Sequence, residues 1–381
     1  MPLSVASGGM SSMCVGRSSA LAVALALAAG CSRPVPIPVG LVSGLSGRHY
    51  DLGISTRNGA MLAVEDVNRA GGIGGRPIEL AIRDDRQDPE TARRAVEELV
   101  QLGVVAILGH ATSSMVEATL PIVNRERVLM LSPSVTSTSF RGKDDWLVMV
   151  SPSDAQAAER LAEYAARKGL ARRVAAIYDR SNLAHSSSFH DAFRAAFEAR
   201  GGQVTVSIPF TSGEVRSFQA LAAEAIAGGP DGMLVIANAL DSAMICQQVR
   251  KLDTRVAILG SKWGFTTDAI SHGGASLEGA VTVQQADLGD EVTPALVRFK
   301  SAYSERFGRP ADYAALQGYD AVLALAEALR RDATRAGVRR SLLAIGTFHG
   351  VQGDYQIDRF GDPTRRLFVM TVVGGAMRAV E

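Results

Sequence analysis

Small hydroxyl side chains at the ends of apolar runs are the residues best placed to do chemistry. The run at 104–108 leads into Gly109-His110-Ala111-Thr112-Ser113-Ser114 just before a helical stretch, and the run at 128–131 leads into Ser132-Pro133-Ser134-Val135-Thr136. In open α/β sheets the carboxyl ends of the strands form the ligand crevice. Unpaired N–H groups at a helix start favour an anion there, and hydroxyls complete its shell. Such loops suit the carboxylate of a small metabolite, although Ser and Thr also simply cap helices.

Three strand ends follow in the second half: Tyr178-Asp179-Arg180-Ser181-Asn182, Asn238-Ala239-Leu240-Asp241 and Gly260-Ser261-Lys262-Trp263-Gly264. A tryptophan on a glycine-flanked loop is a poor core residue and a good pocket wall. Trp263 is therefore expected to face a ligand, and Lys262 beside it could supply a positive charge.

Catalytic constellations are missing. There is no Gly-x-Ser-x-Gly elbow, His-Glu-x-x-His, Cys-x-x-Cys or Gly-x-x-x-x-Gly-Lys loop. The glycine-rich stretch Gly71-Gly72-Ile73-Gly74-Gly75-Arg76 lies between a helical and a strand-like segment, the reverse of a dinucleotide loop, and reads as a helix C-cap and turn. No histidine pairs with another or with an acid at metal spacing, and His185 and His190 read as surface residues. Asp84-Asp85 is the best carboxylate pair and reads as a solvated loop that accepts backbone hydrogen bonds. No cofactor is expected.

The elements that must position these residues alternate. Strand-like segments fall at 39–42, 77–82, 104–108 and 128–131, with helices at 55–70, from 89, and at 114–125. The pattern restarts at helix 154–168 and runs through strands 173–177, 203–207, 232–237 and 256–259. Long helices follow at 293–307 and 313–331. Asp88 and Pro89 supply an N-cap and a first-turn proline. Apolar strands joined by helical crossovers mark parallel sheets covered on both faces, and about 350 residues of this kind imply two lobes.

The chain's 40 basic and 39 acidic residues nearly balance, and no basic patch points to nucleic acid. Residues 1–30 contain one base, Arg17, then a short apolar run and small residues before Cys31. This is the order of a secretory signal, too short to span a bilayer comfortably. Leu27-Ala28-Ala29-Gly30-Cys31 resembles a bacterial lipobox, which implies lipidation of Cys31, with residues 31–36 as a tether. Cys14 leaves with the leader, so Cys246 is left as a lone thiol.

Further stretches carry a wider resemblance: Asn58-Gly59-Ala60, Ala63-Val64-Glu65-Asp66-Val67-Asn68-Arg69-Ala70-Gly71-Gly72, Asp84-Asp85 with Asp88-Pro89, Ile107-Leu108-Gly109-His110, Leu131-Ser132-Pro133-Ser134 and Gly318-Tyr319-Asp320-Ala321-Val322. With them the chain resembles the branched-chain-amino-acid type of periplasmic substrate-binding protein, the receptor component of ABC importers, from about residue 37 to 375. The resemblance implies the type I periplasmic-binding-protein fold: two Rossmann-like lobes with parallel sheets and three crossovers, here near 150, 284 and 345. Lobe one would take 37–150 plus 285–345, and lobe two 151–284 plus 346–381.

The resemblance also implies a ligand carboxylate held by Ser113, Ser134 and Thr136. The lobe-two side departs from the family pattern. Leu183 and Asn238 stand where aromatics are expected, and Lys262 stands where an acid would pair with a ligand ammonium. Asp241 could compensate if it reached the ligand; otherwise the ligand is a carboxylate without an amine, stacked on Trp263 with Tyr50 as the opposite wall. The expected protein is a monomeric, lipid-anchored receptor that delivers a small amino acid or organic carboxylate to an ABC permease. A ligand-sensing module reporting to a membrane receptor is the alternative, with a cleft enzyme far behind.

Overall fold

The computed structural model describes residues 1–9, 34–47, 50–214, 217–289 and 293–381. It divides into two units, Met1–Val35 and Pro36–Glu381. Residues 1–9 carry no regular structure. Cys31 and the leader's apolar run lie outside the described residues, and among the described ones no helix is long and apolar enough to cross a membrane.

The second unit begins with β1 (Ile37–Ser43), α1 (Tyr50–Arg69), β2 (Ile78–Asp84), α2 (Pro89–Gln101), β3 (Ala106–Gly109), α3 (Ser113–Glu126), β4 (Leu129–Ser132) and β5 (Leu147–Met149). The five strands form one parallel sheet in the order β2-β1-β3-β4-β5. Ile37, Val39 and Leu41 join the core on one face and Val42 the core on the other. A sheet covered on both sides needs this nearly continuous apolar sequence. Local signals set the helix starts: Asp88 accepts from Thr91 N at 2.8 Å, with Pro89 in the first turn of α2. After α1, Gly71, Gly72, Gly74 and Gly75 all have positive φ, so the glycine run is a turn.

A second sheet follows the same plan. It uses α4 (Asp154–Lys168), β6 (Arg173–Asp179), α5 (Leu183–Glu198), β7 (Gln203–Phe210), α6 (Phe218–Ile226), β8 (Gly232–Ile236), α7 (Ala239–Leu252), β9 (Ala257–Ser261), α8 (Thr267–Gly273) and β10 (Val281–Gln284). Ser153 and Gln156 form a reciprocal capping box at the start of α4, and Gly169 ends it at φ 62°. The chain then adds α9 (Pro294–Phe307), α10 (Tyr313–Arg331), α11 (Arg335–Ile345), β11 (Thr347–Gly350), β12 (Gly353–Ile357), β13 (Pro363–Thr364), β14 (Phe368–Val373) and β15 (Ala376–Ala379). The second sheet runs β15-β14-β10-β9-β8-β6-β7, with β14 and β15 antiparallel, and β11-β12-β13 form a small antiparallel sheet.

The chain therefore leaves the first sheet after Met149, returns to that side after Gln284, and rejoins the second sheet at Phe368. This differs from the expected third crossing near 345. Phe348, Tyr355 and Ile357 pack in the first lobe's core with residues of α10 and α11. Asp320 of α10 fixes them there: its buried carboxylate accepts from Val351 N at 2.9 Å and pairs with Arg365, whose guanidinium lies 4.6 Å from the Tyr355 ring. Residues 347–364, expected in lobe two, belong with lobe one.

Candidate ligand-binding site

The carboxyl ends of the parallel strands of the two sheets face each other across a small, closed-down cavity of about 20 Å³. Leu52, Ala111, Ser113, Ser134, Thr136 and Tyr313 line it from lobe one; Asn182, His185, Lys262 and Trp263 line it from lobe two. The lobes touch around it. Ser114 N donates to Asn182 Oδ1 at 3.1 Å, Ala184 N to Ser114 Oγ at 3.3 Å, and Thr138 N to Ser188 Oγ at 3.1 Å. Trp263 is 4% exposed and shares an apolar cluster with Leu52, Ala111 and Tyr313.

On the lobe-one side, α3 starts at the cavity wall. Its N-cap Thr112 forms no side-chain cap and instead donates to Gln87 Oε1 at 2.8 Å. Of the first-turn N–H groups at the positive end of this fourteen-residue helix, that of Ser114 is taken by Asn182 Oδ1, and the hydroxyl of Thr112 caps none of them. Ser134 Oγ donates to Ala111 O at 2.7 Å, which leaves its lone pairs to accept. Thr136 Oγ1 lies 3.1 Å from His185 Nδ1, which is also 3.0 Å from Asp154 Oδ1; His185 Nε2 is 3.2 Å from Ser261 Oγ. The Trp263 and His185 rings meet edge to face at 5.6 Å.

Lys262 lies in a short turn, Lys262–Gly264, directly after β9. Its Nζ donates to Ser151 Oγ and Gln285 Oε1, both at 3.2 Å, and sits 5.3 Å from the Tyr313 ring centroid. Burial drives its pKa down from 10.5 to about 7; the Asp154 carboxylate opposes the shift, while Arg141 and Arg365 add to it. Ser151 also receives Gln285 Nε2 at 3.0 Å and Gln317 Nε2 at 2.8 Å, and donates to Pro133 O at 2.7 Å. Lys262 is thereby joined to the first two crossing segments.

Five residues singled out from the sequence, Ser113, Ser134, Thr136, Lys262 and Trp263, come together on this cavity. Three others do not. Tyr50 opens α1 with its side chain 47% exposed, and Leu52 lines the cavity in its stead. Asn238 caps α7: its Oδ1 accepts from Asp241 N at 3.0 Å and its Nδ2 donates to Asp241 Oδ2 at 2.8 Å. The Asp241 carboxylate also accepts from Ser212. Both are buried, and neither lines the cavity.

Sequence reasoning missed His185 and Tyr313, and it quoted Asn182 only as part of a strand end without singling it out. His185 and His190 were expected at the surface, but both are buried. The signal was present: Phe189 and Phe193 lie on the buried face of α5, and stepping back four residues along it reaches His185. Asp85 is likewise not solvated. It is fully buried and 2.7 Å from His110 Nδ1, whereas Asp84 does accept from Leu45 N and Arg86 N.

Two α/β lobes with a cavity between the carboxyl ends of their parallel strands are the architecture of two-lobed ligand-binding domains. A family model described as periplasmic binding protein matches residues 36–376. The chain belongs to this family. It is 24% identical over 353 residues to the leucine-, isoleucine-, valine-, threonine- and alanine-binding protein of Pseudomonas aeruginosa, which covers 91% of this chain and 93% of that protein. The fold is also that of the branched-chain amino acid transporter substrate-binding protein of Streptococcus pneumoniae, solved with isoleucine (TM-score 0.83, 24% identity, 91% of this chain and 99% of that one). A solute-binding protein of an ABC transporter from R. palustris, solved with benzoate, has the same fold (TM-score 0.82, 19% identity, 91% and 95% of the two chains).

Proposed function

We propose that the protein is an extracytoplasmic receptor that closes its lobes on a small carboxylate or amino acid and delivers it to an ABC permease. The observation that carries this reading is the cavity between the strand ends, where the hydroxyls and helix start of lobe one meet Lys262, His185 and Trp263 of lobe two. Ser113 and Thr136 donate to the ligand carboxylate, and Ser134, whose hydroxyl proton goes to Ala111 O, lines the same wall. Trp263 and Tyr313 flank its apolar part. No bond of the ligand breaks; its contacts shift the balance between open and closed lobes.

Calorimetry on protein stripped of ligand by unfolding and refolding tests this, using a panel of amino acids, dicarboxylates and aromatic acids. Saturable binding of one ligand per chain, unchanged on release, is expected. Turnover of the ligand, or no binding across the panel, would overturn the reading. We further place the chain at a membrane through lipid on Cys31, working as a monomer. Labelling with a radioactive fatty acid should be lost in Cys31→Ala, and label that persists excludes that anchor.

A further inference from the structure

The charge and hydrogen-bond polarity of the cavity say which carboxylates fit it. Among the described residues that line it there is no carboxylate, and the single formal cation is Lys262. The nearby acid, Asp154, stands behind His185: its Oδ1 faces His185 Nδ1 at 3.0 Å and its Oδ2 is buried away from solvent. A ligand α-ammonium would therefore enter a site with no exposed opposite charge, and with a like charge whenever Lys262 is protonated, which is costly in a poorly hydrated space.

His185 fixes a second preference. A carboxylate can only accept, so the pairing with Asp154 places the proton on Nδ1. Thr136 Oγ1, 3.1 Å from the same N–H, then also accepts, and its own hydroxyl proton is left for the cavity. With the start of α3 alongside, that end of the cavity presents donors, which suit a carboxylate or a carbonyl oxygen.

We infer that the cavity selects carboxylates whose α-carbon carries no ammonium, such as 2-oxo acids or aromatic acids, and that His185, held by Asp154, is a specificity-determining residue that aims the Thr136 hydroxyl at the ligand. This rests on the receptor reading above and narrows its ligand class.

L-Leucine and 4-methyl-2-oxopentanoate have the same carbon skeleton and differ only at the α-carbon, so comparing them isolates the charge. Calorimetry on the stripped full chain should show the oxo acid binding at least ten-fold more tightly. His185→Phe keeps a ring beside Trp263 but has no N–H, and should reduce the preference several-fold through weaker oxo-acid binding. Asp154→Asn, which no longer fixes the imidazole proton, should act in the same direction, with melting curves confirming that both variants are folded. Leucine binding as tightly as the oxo acid would overturn the ligand class. An unchanged preference in both folded variants would overturn the role of His185. Absence of binding by any acid or amino acid in the wider panel would instead remove the receptor reading, and this inference with it.

Discussion

Burial of the Lys262 ammonium makes it a group of opposite value to stability and to binding. Its pKa falls from 10.5 to about 7 in the folded chain, so between those values the native state holds fewer protons than the unfolded one. The cost of burying the charge is thus fully present below pH 7 and is relieved as the pH rises towards 10.5. Lys262→Met should raise the melting temperature of the ligand-free protein, with a larger gain at pH 6 than at pH 9; a gain independent of pH would show that the ammonium is not the source. Because an anionic ligand prefers the charged form, carboxylate affinity in the wild type should fall from pH 6 to pH 8, by at most about ten-fold per unit. In Lys262→Met it should be weaker and flat over that range. Ser113→Ala and Thr136→Ala should each weaken carboxylate binding by about 1–3 kcal/mol through loss of a charge-assisted hydrogen bond, and unchanged calorimetric affinity would remove them from the site. Lys262 and Trp263 were legible because flanking glycines mark a loop at a strand end. His185 was not, because an imidazole on an otherwise aromatic helix face is read as polar until its partner Asp154, 31 residues away, is seen beside it.

Among the elements, α1 and α10 cross so closely that two glycines have no room for a side chain. A Cβ on Gly59 would lie 1.8 Å from Ala315 O, and one on Gly318 would lie 2.1 Å from Thr56 O. Alanine is the better helix former by about 1 kcal/mol, so propensity alone favours replacement. Contacts this short to backbone cannot be relieved by turning a side chain, so the steric penalty wins. Gly59→Ala and Gly318→Ala should each be net destabilising, by about 1–3 kcal/mol in chemical denaturation; a stabilising result would mean that the helices can separate freely. The parallel strands and their helices were legible because their apolar runs are long and their caps conventional. The hairpin strands at 347–364 were not assigned to their lobe, since their anchoring is a tertiary event: Asp320 in α10 meets Arg365 and the Val351 N–H only after the chain has folded back.

For the whole molecule, the contacts around the cavity make closure a change in charge environment as well as in shape. Arg309, just before α10, reaches Asp268 of α8 at 2.8 Å, so this ion pair joins the lobes. Asp51 in the first turn of α1 is buried beside it, and its pKa is raised from 3.8 to about 6, mainly by loss of hydration and further by the charges of Asp268 and Asp312. Asp268 belongs to the other lobe, so opening removes its field, and any water admitted to Asp51 lowers the pKa further. The closed form therefore holds more protons than the open form between about pH 4 and 6, and acidification favours closure. Ligand affinity should accordingly rise again as the pH falls through 6, below the window in which Lys262 titrates. Asp51→Asn, which is neutral at every pH, should abolish this lower step while leaving the Lys262 step between pH 6 and 8. The solution radius of gyration of the ligand-free wild type should shrink over the same lower range. A variant that keeps the lower step, or a radius unaffected by pH, would show that Asp51 is equally buried in both forms and takes no part in closure.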